Sequence, residues 1–263
     1  MLTNISTIKK LCQKYGFNFS KGLGQNFLIN PSVCPKMAEF ATNKNVIEVG
    51  GGFGILTAEL VKVAKKVVCV EIDKKLLPVL AETVPSAKII NADILKIDIN
   101  KLIADEFDGG EVVVCANLPY YIATPIIMHF LENISQNCQL IFMLQKEMAA
   151  RLTATIPSRE CGAITYAINY YGEIKKLFDV SRGSFYPSPN VDSTVVKISM
   201  HKKYVLSTRE ESRFFELVKK AFSQRRKQIA NTIGREILDK TNISPTLRAE
   251  NLSMEDFFLL ARI

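Results

Sequence analysis

The chain is poor in the residues that build metal centres. It has two histidines, His129 and His201, and its six cysteines (Cys12, Cys34, Cys69, Cys115, Cys138 and Cys161) include no C-x-x-C pair. A structural zinc needs a full set of such ligands at close spacing, so none is expected. Cys69 and Cys115 sit inside apolar, strand-like runs where thiols pack as small hydrophobes, and they read as reduced core residues of a cytoplasmic protein. No stretch approaches about 18 uninterrupted apolar residues, and the amino terminus carries lysines in place of an apolar leader. Neither a membrane span nor export is expected. Internal repeats and low-complexity segments are also missing.

Acidic residues are outnumbered. The 34 Lys and Arg face 26 Asp and Glu, a formal charge of +8 that favours a polyanionic partner. With 263 residues and 48% hydrophobic content, the chain can bury the core of one sizeable α/β domain and a smaller appendage.

From Asn45 to Gln145 apolar runs alternate with helix-like segments, the mark of a mainly parallel sheet wrapped by helices. The spacing predicts strands over Val46–Val49, Val67–Ile72, Lys88–Asn91, Val112–Ala116 and Gln139–Leu144. Helices are predicted over Ile55–Lys62, Lys74–Thr83, Pro125–Glu132 and Lys146–Leu152, with an earlier one over Val33–Ala41 capped by Ser32. Ile174–Val180 and Thr194–Met200 read as an antiparallel edge, joined through the proline-bearing segment Ser184–Pro189. Beyond His201 only helical periodicity continues, so residues 1–200 are expected to form one domain and residues 201–263 a small helical one. There Lys219 and Arg226 stand seven apart, as do Lys220 and Lys227, which predicts four cations along one helix stripe. Phe214, Val218, Phe222, Ile229 and Ile233 would face the core.

Glu48 to Gly54 reads E-x-G-x-G-x-G, following the first strand and opening a helix. Glycines there let the backbone approach a ligand, and the helix start offers unpaired N–H groups. A dinucleotide fingerprint is incomplete, because Ile55 stands where G-x-G-x-x-G requires its third glycine. Glu71 ends the second strand in Val-Glu-Ile-Asp, where a carboxylate accepts from ribose hydroxyls, and Asp93 after the third can accept from an adenine amine. Singly, each is equally a solvated loop acid. Together, three sites at the carboxyl ends of three successive strands favour an adenosine-containing cofactor. Asn117, Leu118, Pro119 and Tyr120 then follow the apolar run Val112–Ala116. They offer an amide, a main-chain carbonyl beside a proline that has no N–H, and an aromatic face, the parts that hold a nucleobase by its exocyclic amine. Alone, the tetrapeptide is more often a plain turn.

In this order the segment Gly24 to Leu28, the glycine loop, Glu71, Asp93 and Asn-Leu-Pro-Tyr resemble the S-adenosylmethionine-dependent ribosomal RNA adenine dimethyltransferases. Phe185 to Ser193 is similar to the family's F-x-P-x-P-x-V-D-S segment, and Ala221 to Lys227 to the A-F-x-Q-R-R-K helix of the bacterial small-subunit enzyme. The resemblance implies an α/β fold, a Rossmann-like class I methyltransferase sheet with an antiparallel edge and a small C-terminal helical domain for RNA recognition. It implies that Asn26, Leu28, Gly50, Gly52, Glu71, Ile72, Asp93, Ile94 and Asn117 line the S-adenosylmethionine pocket, with no metal. Asn117, Leu118, Pro119 and Tyr120 would present the target amine, with Tyr120 and Phe185 stacked on the unstacked base. Lys219, Lys220, Arg225, Arg226 and Lys227 would contact RNA. Residues 1 to 36 carry Lys9, Lys10, Lys14, Lys21 and Lys36 and no acid, and read either as a solvated surface or as part of the same RNA track.

The implied substrate is a pair of adjacent adenosines in the 3′-terminal hairpin loop of 16S ribosomal RNA, in immature 30S particles, each receiving two methyl groups. Nothing requires more than a monomer. Gly51 stands where many relatives have proline, which would loosen the glycine loop. One alternative is a 23S adenine methyltransferase of the antibiotic-resistance type, against which the A-F-x-Q-R-R-K segment argues. Another is a non-catalytic ribosome-assembly factor, against which Glu71, Asp93 and Asn117 argue. An NAD dehydrogenase is disfavoured by the failed glycine spacing.

Overall fold

Val46, Ile47, Val67, Val68, Val113 and Val114 are each exposed by 3% or less, so the strands that carry them are covered on both faces. They form the centre of a seven-stranded sheet in a computed structural model that describes residues 1–17, 26–119, 121–134, 138–201 and 204–263. In chain order the elements begin with α1 (Ile5–Lys14), β1 (Phe27–Leu28), α2 (Val33–Ala38), β2 (Asn45–Val49), α3 (Ile55–Val63), β3 (Lys66–Glu71) and α4 (Leu77–Thr83). Then come β4 (Lys88–Asn91), α5 (Ile99–Glu106), β5 (Val112–Asn117), α6 (Ala123–Asn133), β6 (Cys138–Gln145) and α7 (Lys146–Leu152). The remainder is α8 (Ala163–Tyr171), β7 (Gly172–Val180), β8 (Phe185–Tyr186), β9 (Ser193–Met200), α9 (Thr208–Phe222), α10 (Ala230–Ile233), α11 (Arg235–Leu238) and α12 (Met254–Ala261).

The large sheet has the order β4-β3-β2-β5-β6-β9-β7. Strands β4, β3, β2, β5 and β6 run parallel, and β9 joins β6 antiparallel, with Leu140 opposite Ile198. Each of the seven predicted strands overlaps one of these. A second, two-stranded sheet pairs Phe27 with Tyr186 and Leu28 with Phe185. The predicted helix over Lys74–Thr83 is a 3-10 turn at Lys74–Leu76 running into α4, and that over Val33–Ala41 is α2 followed by a 3-10 turn at Glu39–Ala41.

The chain divides into two compact units, Met1–Ala149 with Lys175–Met200, and Ala150–Ile174 with His201–Ile263. The expected boundary at residue 200 therefore leaves out a segment. Residues 150–174 belong with the tail because α8 supplies its core: Tyr166 is fully buried, its ring stands edge-on to Phe257 at 5.1 Å, and its hydroxyl donates to the Leu252 carbonyl. Beside it, Tyr170 stacks on Phe214 at 5.4 Å.

In the same unit α9 starts at a capping box, with Ser207 Oγ accepting from the Glu210 N–H and Glu210 Oε2 accepting from the Ser207 N–H. It ends at Phe222, where the Ser223 hydroxyl and N–H both donate to the Lys220 carbonyl. The predicted four-cation stripe is thus broken. Lys219 and Lys220 lie on the last turn of α9, while Arg226 and Lys227 lie in the exposed turn after it. Phe214, Val218, Ile229 and Ile233 are buried, as their spacing predicts.

Among the described residues no helix is long and apolar enough to cross a membrane. All six cysteines are free thiols, five of them buried. Because Phe214 has no exposed surface and sits among Tyr170, Phe257 and Phe258, Phe214→Ala should cost about 3–5 kcal/mol in urea denaturation. A loss below about 0.5 kcal/mol, the range of an ordinary surface change, would contradict this packing.

Candidate active site

Strand order reverses between β2 and β5, because β3 and β4 add on one side of β2 and β5 and β6 on the other. Such a reversal opens a crevice at the carboxyl ends of the strands. There β2 enters the glycine loop, β3 ends on Glu71 and β5 ends on Asn117.

Gly52 has φ +57°, and a Cβ on it would stand 2.9 Å from Phe27 Cε1, so only glycine lets the loop pass beneath that ring. Its N–H donates to Glu71 Oε2 at 3.0 Å, and the Asp73 N–H donates to Glu71 Oε1 at 2.8 Å. One carboxylate thus ties the glycine loop to the end of β3. Asn91, at the end of β4, adds to the clamp by donating to the Glu71 and Ile72 carbonyls at 2.7 and 3.3 Å. Burial raises the Glu71 pKa above the ordinary carboxylate value, and the Asp73 and Gly52 N–H groups pull it back only in part.

At the end of β5 the Leu118 N–H donates to the Met143 carbonyl at 3.2 Å, carrying the pairing with β6 past the strand's last residue. Asn117 Nδ2 donates to the Asn26 carbonyl at 3.2 Å, which leaves Oδ1 as the acceptor of that amide. Pro119 has no N–H to offer, and its carbonyl accepts from the Ile122 N–H at 3.2 Å, turning the chain into α6.

These groups meet in one pocket. It is lined by Asn26, Leu28, Gly50, Gly52, Glu71, Ile72, Asp93, Ile94, Asn117, Leu118 and Pro119, all expected in the site. Glu48, Asp73, Phe53 and Tyr121 also line it, although the spacing of motifs leaves them unassigned. Phe53 stacks on Phe27 with centroids 4.3 Å apart and makes an apolar wall, while the half-exposed Ile72 and Tyr121 form a rim. Asp93 is oriented by the Leu95 N–H, which donates to its Oδ1 at 3.1 Å. Glu48, Glu71, Asp73 and Asp93 are four acidic residues, and no Lys, Arg or His is among the described lining residues. Such a wall opposes a pyrophosphate and favours a ligand that carries positive charge.

Other expected residues lie elsewhere. Tyr120, Gly24, Gln25 and Lys21 fall outside the described residues. Phe185 is only 3% exposed, packs in the core of the first unit and does not line the pocket. A ring enclosed in this way offers no face to a base; its work is to hold β8 against β1 next to Asn26. Arg225 is likewise committed, since its Nη2 donates to the carbonyls of Arg159 at 2.8 Å and Cys161 at 3.1 Å. It ties a loop within the second unit. Lys14 pairs with Glu82, and Lys36 lies over the Phe178 ring. Gly51 proves tight, the reverse of loose: a Cβ there would meet Cys69 Sγ at 2.4 Å and Leu80 Cδ2 at 3.1 Å, so Cys69 and Leu80 fill the room a proline needs. Among the described residues no group of His, Cys, Asp and Glu could hold a metal ion.

The family model of the ribosomal RNA adenine dimethylases matches residues 16–263. The chain belongs to that family. Ribosomal RNA small subunit methyltransferase A of Clostridioides difficile (strain 630) is 41% identical to it, over 100% of this chain and 96% of that protein. The protein of the same name from Bacillus mycoides (strain KBAB4) is 40% identical, over 96% and 94%. Among solved structures, a dimethyladenosine transferase from Plasmodium falciparum superposes with a TM-score of 0.68 at 25% identity, covering 89% of this chain and 95% of that one. The 23S rRNA methyltransferase ErmE gives 0.66 at 24% identity over 90% and 98%, a likeness of fold alone. The family resemblance and the Rossmann-like methyltransferase fold are thereby borne out.

One lining residue of the pocket is an acid removed almost wholly from solvent. Glu48 is 1% exposed, and burial foremost, with the Glu71 charge adding to it, raises its pKa to about 8. In the unfolded chain it ionises near 4.5. The folded state therefore keeps a proton that the unfolded state releases, and this group's contribution to stability falls as pH rises between those two values. Glu48→Gln, which cannot ionise, should gain on the wild type in melting temperature by a margin that grows from about pH 5 to about pH 8. A margin that stays constant across that range would contradict the assignment.

Proposed function

We propose that this protein dimethylates the exocyclic amine of two adjacent adenosines in the 3′-terminal hairpin loop of 16S ribosomal RNA, in immature small subunits in the cytoplasm. The observation that carries the reading is the acidic pocket at the strand ends, which brings Glu71, Asp93 and Asn117 together in a family member. The full-length relatives at 40–41% identity are small-subunit enzymes by name, whereas the likeness to a 23S enzyme is one of fold.

S-Adenosylmethionine, when bound, supplies a methyl group already activated on a sulfonium, and the residues here fit it by charge and by hydrogen bonding. Glu71 keeps acceptor capacity beyond the N–H groups of Gly52, Ile72 and Asp73, enough to receive a ribose hydroxyl. Asp93 accepts from the cofactor's adenine amine. The Phe27 and Phe53 wall excludes water on the other side. Among the described lining residues no cation opposes a sulfonium.

The remaining work is to make a weak nucleophile attack. The lone pair of an adenine amine is delocalised into its ring. Asn117 Oδ1 and the Leu118 carbonyl accept hydrogen bonds from that amine and favour a pyramidal nitrogen, with Tyr120 supplying an aromatic face. As positive charge develops on the nitrogen these bonds strengthen, so they act on the transition state. No protein nucleophile is needed, because positioning supplies the rate. Lys219, Lys220, Arg226 and Lys227 contact phosphates, and Arg225 ties the turn after α9 to the carbonyls of Arg159 and Cys161.

Three tests follow from this reading. Labelled S-adenosylmethionine and immature small subunits, followed by mapping of modified nucleotides, should place label on two adjacent adenosines near the 3′ end; label in 23S RNA, or none, would contradict it. Asn117→Ala should lower methyl transfer at least ~10²-fold while leaving RNA affinity nearly intact, and wild-type turnover in that variant would remove the proposed role. Neutralising Lys219, Lys220, Arg226 and Lys227 together should weaken RNA binding and flatten its dependence on salt. An unchanged slope would return these side chains to an ordinary solvated surface.

A further inference from the structure

Glu48 lines the pocket with its carboxyl buried against Thr57 and Cys69. Its Oε2 is buried and makes no hydrogen bond, and the same holds for the neighbouring Thr57 Oγ1. The groups that face it come from four elements: Cys34 from α2, Thr57 from α3, Cys69 and Glu71 from β3, and Cys115 from β5. None of these is a cation, and among the described residues no ion pair to Glu48 is present. An ionised carboxylate in such surroundings is costly, and here every neighbour that can carry charge would carry the same sign. Yet the carboxyl lines the wall of a pocket whose ligand, on the reading above, brings a positive charge.

We infer that Glu48 couples occupation of the pocket to a proton: a cationic ligand entering beside the buried carboxyl expels its proton to solvent, and a neutral ligand of the same shape does not. This rests on the reading of the pocket as an S-adenosylmethionine site. The balance is simple: the Glu48 O–H bond breaks, the electron pair stays on the carboxylate, and the proton leaves to buffer. S-Adenosylmethionine carries a net charge one unit more positive than S-adenosylhomocysteine, the product left when the methyl has gone. The first is held by a carboxylate counter-ion, and the second meets a carboxyl that has taken its proton back. Glu48 is thus a specificity-determining residue, favouring exchange of spent product for fresh cofactor without touching the RNA. Its effect should depend on pH, with affinity for the cationic cofactor rising about tenfold per unit of pH while the free carboxyl is protonated, then levelling. Affinity for the neutral product should show much less slope.

Calorimetry of the whole protein in two buffers of different ionisation enthalpy counts the protons released. At neutral pH S-adenosylmethionine should release about one proton per site, S-adenosylhomocysteine clearly less, and Glu48→Gln should bind the former with release largely abolished. Equal release with both ligands, or the same release from Glu48→Gln as from wild type, would overturn the coupling. If Glu48→Gln does not fold, the wild type alone decides, because a ratio of the two affinities that stays constant from about pH 6 to about pH 9 overturns it equally. S-Adenosylmethionine that binds without proton release defeats this inference only, whereas failure to bind at all defeats the cofactor reading together with it.

Discussion

The site depends on the placement of one carboxylate. Glu71 takes a hydrogen bond from Gly52 in the glycine loop and another from Asp73 beyond its own strand, while Asn91 fixes its backbone from the next strand. Three segments distant in sequence are thereby held in register at the sheet's open edge. The geometry rests on a glycine, because any side chain at Gly52 would collide with Phe27. It also places a carboxylate in a buried setting, which raises its pKa and which the two N–H donors only partly offset.

Charge in this molecule is divided by place. The chain as a whole is basic, at +8, but its pocket is walled by Glu48, Glu71, Asp73 and Asp93. The division separates two electrostatic tasks. A polyanionic RNA is attracted to the outer surface and repelled from the cofactor cavity, while a sulfonium meets the opposite preference. An adenine is the part of a nucleotide that can cross between these regions, since the base is neutral and its phosphates stay outside. Asn117, at the end of β5, lines the pocket, and its donation to Asn26 sets which end of its amide accepts.

Much of this was legible in the residues. Long apolar runs such as Val112–Ala116 name themselves as buried strands, and the motifs at their carboxyl ends meet in space because a parallel sheet aligns those ends. Helices with narrow apolar faces were not legible. The structure has α1 burying little beyond Ile8 and Leu11, and α5 burying Ile99 and Leu102, and both rest on side-chain caps, Asn4 and Asp98. The segment with α8 escaped because Ala163–Tyr171 is apolar on most sides and its partners, Phe257 and Leu252, lie far along the chain. The end of α9 was set by a local contest that periodicity does not register, in which Ser223 satisfies the Lys220 carbonyl and stops the helix before Arg226. The resemblance implies Phe185 against a base, but the pairing of β8 with β1 turns it into the core. Gly51 depends on Cys69, a contact between the glycine loop and β3 that no local pattern reveals.

On the reading proposed above, the Glu71 clamp shapes a pocket for an adenosine-bearing cation. Equilibrium binding of S-adenosylmethionine to the wild type and to Glu71→Ala, with folding of both checked by melting, tests it most directly. The account predicts one site in the wild type and a loss of about tenfold or more in affinity in the variant, since a charged hydrogen-bonding partner and the loop it holds are both removed. Equal affinity in two folded proteins would contradict it.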